Sequence, residues 1–147
     1  MAPRVGGGVT MNRVRPASGV LMIAVVTGAV TVPPALAQPV PHLISYTVTT
    51  AHPVSADIYF RDVDPPTWAD YSHNPYMFSP KVTVEVGPDR PWVLNATLFD
   101  PNRWAMVSAT SGMSPQSPGF RCELSVDDVV VSTDAGPKGA LCSIRHW

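Results

Sequence analysis

Lys81-Val82-Thr83-Val84-Glu85-Val86 alternates valine with a charged or hydroxyl side chain. Successive side chains of a strand point to opposite faces. This period of two therefore predicts a half-buried strand with Val82, Val84 and Val86 inward and Lys81, Thr83 and Glu85 in water. Valine is β-branched and suits a pleated, half-buried surface, which strengthens the reading.

The same alternation recurs on both sides of this stretch. Ile44, Tyr46 and Val48 face one way, and Ser45, Thr47 and Thr49 the other; Val54–Phe60 sets Ala56, Ile58 and Phe60 on one face. Further strands are predicted over Trp92–Phe99, Trp104–Thr110, Phe120–Val126, Val129–Thr133 and Ala140–Arg145. Between them lie turn residues: Pro88–Pro91, Asp100-Pro-Asn-Arg103, the Gly/Ser/Pro stretch Ser111–Gly119, and Asp134–Gly139. Asp127-Asp128 occupies a two-residue hairpin turn without the usual glycine. Arg61–Pro75, with Asp62, Asp64, Pro65, Pro66 and Asn74-Pro75, reads as loop, and no segment carries a helical period. Many short strands at regular spacing predict an all-β, immunoglobulin-like β-sandwich of about seven to eight antiparallel strands, with a small barrel as the alternative.

The first 37 residues have a different character. Arg4, Arg13 and Arg15 stand without an acidic neighbour, Val20–Val32 is uncharged and mostly apolar, and Ala35-Leu36-Ala37 is an A-x-A site. This order reads as a secretory signal peptide over 1–37, cleaved before Gln38, with Met11 an alternative start. The competing reading is an uncleaved anchor. Such a span wants about 20 apolar residues, and Ala17–Ala37 reaches that length only by including Pro33 and Pro34. The predicted organisation is signal over 1–37, an extended linker over 38–43, and the sandwich over 44–147. The expected location is secreted, or periplasmic within the cell envelope.

Processing changes the charge. The chain carries 10 Lys/Arg against 11 Asp/Glu, and three of the cations are those leader arginines, so the remainder is net acidic. Without a Lys/Arg run it is a poor partner for nucleic acid or anionic lipid. Cys122 and Cys142 are the two cysteines. An even count in an exported chain favours one disulfide over two buried thiols, and a bonded Cys122 is no nucleophile.

The chemistry-bearing residues do not assemble into a catalytic set. His42, His52, His73 and His146 lack metal-ligand spacing, and Asp62-Val-Asp64 is cut short by two prolines before it can make a calcium loop. No metal or cofactor is expected, and the chain reads as a non-enzyme. Asn95-Ala96-Thr97 fits the glycosylation triplet but lies within a predicted strand. The aromatic stretch Trp68, Tyr71, Tyr76 and Phe78, with Met77, is the candidate binding loop, because Trp and Tyr offer contact area at low entropic cost. The competing reading has these rings covering one end of the sandwich.

Phe120-Arg-Cys-Glu-Leu-Ser-Val-Asp-Asp-Val-Val130 resembles the C-R-I-x-V-D-G-x-V segment of the MmpS family, small mycobacterial membrane proteins. Gly139-Ala-Leu-Cys142 is similar to that family's closing A-x-C, and Ile44–Val48 and Ala56–Asp64 resemble its opening strands and acidic turn. The resemblance implies an immunoglobulin-like sandwich with Cys122 bonded to Cys142. It also implies a transport accessory role beside large exporters of lipids and siderophores, with a membrane transporter as partner. Asp128 stands where that family often has glycine, which predicts a hairpin of another type, and those proteins keep a membrane anchor. A second functional class, a carrier of lipid or another apolar ligand, follows from the aromatic loop and requires a cavity.

Overall fold

The structure, a computed structural model, describes residues 37–146. The predicted signal peptide lies outside these residues apart from Ala37. Among the described residues no helix is long and apolar enough to cross a membrane.

Eight strands form in chain order: β1 (His42–Thr50), β2 (Val54–Phe60), β3 (Lys81–Val86), β4 (Trp92–Leu98), β5 (Met106–Thr110), β6 (Phe120–Val126), β7 (Val129–Gly136) and β8 (Gly139–Ser143). They build two four-stranded sheets, one in the order β4-β1-β6-β7 and the other β3-β2-β5-β8, with antiparallel pairing throughout. The chain is an all-β sandwich of the predicted immunoglobulin-like kind. The period of two explains the layering: Ile44, Tyr46 and Val48 of β1 meet Ala56 and Ile58 of β2, Val107 and Ala109 of β5, and Phe120 and Leu124 of β6 in one buried core. Cys122 on β6 and Cys142 on β8 are bonded across the two sheets.

Four local readings change. Strand β1 begins at His42, so the linker before it is shorter than predicted. Val82 and Val84 are only half-buried, because β3 is an edge strand whose inner face is incompletely covered; Val86 is the fully buried one. Trp104 belongs not to β5 but to a short helix, α2 (Pro101–Trp104). Asp100 caps it by accepting from the Arg103 amide, and Pro101 is preset for a first turn. The hairpin between β6 and β7 keeps the usual geometry despite its missing glycine. Asp127 and Asp128 both adopt positive φ, 49° and 66°, as a type I′ turn demands, and aspartate tolerates that region better than most residues.

The strand registers sort the connections into two ends. At one end lie His42, Leu98, Met106, Val126 and Ser143; at the other lie Thr50, Val54, Val86, Thr110 and Gly136. The first end is where the chain joins the sandwich from residue 37.

Candidate functional site

The segment between β2 and β3 is not the plain loop predicted. It folds into helix α1 (Trp68–His73) and a 3₁₀ turn over Pro75–Phe78. Thr67 starts α1 by reciprocal capping: its hydroxyl accepts from the Asp70 amide at 3.1 Å and donates to the Asp70 carboxylate at 2.6 Å. Pro75 then prevents continuation. Six residues are too few for a helical period to show in the sequence.

This segment closes the first end of the sandwich with an aromatic–arginine plate. The Trp68 ring stacks on Trp104 at 6.0 Å between centroids, and Tyr71 meets Trp104 edge-on at 5.6 Å. The Arg145 guanidinium lies 4.3 Å above Trp68, and that of Arg61 lies 4.4 Å from the Tyr71 ring and 5.5 Å from Trp104. Arg61 is fully buried. Contacts of this kind strengthen as they are desolvated. Beneath the plate, Tyr46 reaches across from the other sheet. Its hydroxyl donates to the Arg61 carbonyl at 2.7 Å and accepts from the Met106 amide at 3.4 Å. Burial raises the Tyr46 pKa well above its ordinary value, so the hydroxyl stays neutral.

The candidate binding residues therefore divide. Trp68 and Tyr71 are members of the plate, and Phe78 is half-buried. Tyr76, 81% exposed, and Met77, 68% exposed, project from the 3₁₀ turn. Between α1 and this tip lies a surface cleft of about 400 Å³ lined by Pro66, Ala69, His73, Met77 and Phe78. The outcome is a base of stacked rings carrying a small exposed tip.

Several of the acidic residues have structural work. Asp64 accepts from the Phe99 and Asp100 amides at 2.8 and 2.9 Å, fixing the corner before α2. Asp57 accepts from the Thr83 hydroxyl at 2.6 Å and pairs with Lys81 at 3.2 Å. Those two partners, Thr83 first, hold its pKa below the usual carboxylate range. His42 bonds the Asp127 carboxylate at 2.7 Å, and the Leu43 amide donates to the same group at 2.9 Å. The His42 bond, with the Leu43 amide second, lowers the Asp127 pKa. Among the described residues no group of three or more His, Cys, Asp or Glu converges as a metal site would require. Nothing in the spacing signalled Arg61 or His42, because their partners lie in distant segments.

The family model of the Rv2576c beta-sandwich domain matches residues 46–142. Two similar proteins are Rv2576c of Mycobacterium tuberculosis (strain H37Rv) and Mb2606c of Mycobacterium bovis. Each is 36% identical over 113 residues, which cover 77% of this chain and 73% of the relative. The chain belongs to the Rv2576c β-sandwich family, and the names of these relatives carry no activity.

Proposed function

We propose that this member of the Rv2576c β-sandwich family is an exported, non-catalytic binding domain that acts by protein–protein contact in the cell envelope. The observation that carries the reading is the tip: Tyr76 and Met77 stand exposed on a base held by stacked Trp68, Trp104 and Arg145. Tyr76 offers contact area with only two side-chain torsions to fix, as a contact site needs. The cross-sheet disulfide suits an oxidising compartment. The resemblance of the Phe120–Val130 segment to the MmpS family makes a membrane transporter the partner class to test first; that link is an analogy.

The lipid-carrier reading is weaker on physical grounds. Side chains of both sheets, Tyr46 and Leu124 of one and Ile58 and Val107 of the other among them, occupy the space between the layers. The α1 cleft, at about 400 Å³, is a surface feature.

Capture by the full chain from envelope membranes, compared with a Tyr76→Ser/Met77→Ser variant of equal thermal stability, tests the proposal. The wild type should retain a membrane protein that the variant loses. Equal recovery by both, or recovery by neither, contradicts it.

A further inference from the structure

The two sheets end in edge strands, β4 and β7 in one and β3 and β8 in the other. An edge strand presents backbone groups on which another strand can pair. On β8 the Asp134 carboxylate accepts from the Leu141 amide at 2.9 Å, which occupies that edge. Strand β3 is arranged differently. The Phe60 amide donates to the Pro80 carbonyl at 3.2 Å, so Val82, Val84 and Val86, in step with Pro80, turn their backbones toward β2. By the alternation of an antiparallel ladder, the amides and carbonyls of Lys81, Thr83 and Glu85 point away from β2, out of the sheet. This stretch ends at Gly87, whose amide donates to the Arg90 carbonyl of its own chain at 3.1 Å.

The stretch is complementary to itself. Antiparallel pairing of two copies about a two-fold axis at Thr83 sets Thr83 against the partner's Thr83, and each Lys81 against the partner's Glu85. These are hydrogen-bonded pairs, because the residues on both sides direct their backbones outward. Val82 stands opposite the partner's Val84 on the inward face, where both valines are half-buried, so pairing covers apolar surface as well. A slip of two residues in either direction loses both charge pairs. The other charges nearby do not break the match. Asp57 lies 3.2 Å from Lys81, which places each lysine between two carboxylates, its own Asp57 and the partner's Glu85. Asp89 and Arg90, one of each sign, lie beyond Gly87 in the turn.

We infer that β3 docks a second copy of this chain, β3 against β3 and centred on Thr83, joining the two β3-β2-β5-β8 sheets into one continuous sheet. The contact is isologous, as a two-fold dimer requires. Backbone pairing holds the strands together, and the Lys81–Glu85 pairs fix their register and direction. The inference does not use Tyr76 or Met77, so it and the proposed tip can fail separately.

Sedimentation velocity of the full chain over a concentration series tests it. A contact of this size belongs to the weak class, so the series should reach about 1 mM. The wild type should dimerise, and hydrogen exchange at the Lys81, Thr83 and Glu85 amides should slow as it does. Lys81→Glu and Glu85→Lys each place like charges opposite one another at both ends of the pairing, and each should weaken the dimer about tenfold. Mixing these two variants restores an opposite-sign pair at both ends, so the mixture should associate where each alone does not. That recovery separates a lost register from a lost fold. Thr83→Pro removes an outward-facing amide, a place where an edge strand accepts proline, and should leave the thermal transition in place while abolishing the dimer. A chain that stays monomeric throughout, its edge left for another protein's strand, overturns the inference. So does self-association that survives Thr83→Pro, or a mixture of the two charge variants that stays monomeric.

Discussion

The two ends of this sandwich are closed by different means. One end is a set of turns, Ala51–Pro53, Gly87–Pro91, Ser111–Gly119 and Gly136–Gly139, held by backbone hydrogen bonds such as Ala51 to Gly119 at 2.9 Å and Gly119 to Pro137 at 3.0 Å. The other is sealed by side chains: Arg61, Trp68, Tyr71, Trp104 and Arg145, contributed by four separate stretches of chain. A turn end can be rebuilt from many sequences. A plate of interlocked rings cannot, and the exposed Tyr76 and Met77 project from the segment that carries it.

This contrast predicts unequal sensitivity to mutation. Trp104→Ala, which removes the buried centre of the plate, should cost about 3–5 kcal/mol in denaturant unfolding. Met113→Ser at the turn end should stay within about 0.5 kcal/mol. Equal costs at the two ends would abolish the distinction.

The sandwich body between the ends depends on its cross-sheet links. Cys122 and Cys142 are 20 residues apart, a loop whose closure stabilises by about 3 kcal/mol in the chain-entropy model. Cys122→Ala with Cys142→Ala should lower stability by that order, and thiol titration of the unfolded, unreduced wild type should find no free thiol. Tyr46→Phe should cost about 1–3 kcal/mol, because the buried Arg61 carbonyl and Met106 amide lose their shared partner. The raised pKa of Tyr46 gives a sign as well. Its contribution is complete below the ordinary tyrosine pKa, about 10, and is lost as pH rises through the folded value. The Phe variant should therefore lose less stability than wild type in alkaline solution.

The smallest expected effect concerns the exposed Asp127. Its lowered pKa means its contribution is present above the ordinary carboxylate range and fades as pH falls through the folded value. Faster hydrogen exchange at the Leu43 amide in acid, absent in Asp127→Asn, would show it. Identical acid profiles would remove His42–Asp127 as a clasp on this end.

The same contrast explains what could be read from sequence. Strand alternation is local, so Ile44, Tyr46 and Val48 revealed their shared face, and glycine and proline marked the turn end. The plate is long-range: nothing near Arg61 in the chain announces Trp104 or Tyr71. Helix α2 reads as a turn because four residues are one turn of helix. The candidate aromatic loop was legible as a group, but its division into plate and tip depends on α1, whose capping pair, Thr67 and Asp70, is visible only in hindsight beside two prolines.

The central claim is that the plate end, through Tyr76 and Met77, is the binding end. Photo-crosslinking from position 76 in envelope membranes, against a matched crosslinker at Thr83 on the outer face of β3, tests it most directly. The account predicts one discrete adduct with a membrane protein from position 76 and no membrane-protein adduct from position 83. The same membrane-protein adducts from both positions, or from position 83 alone, would contradict it.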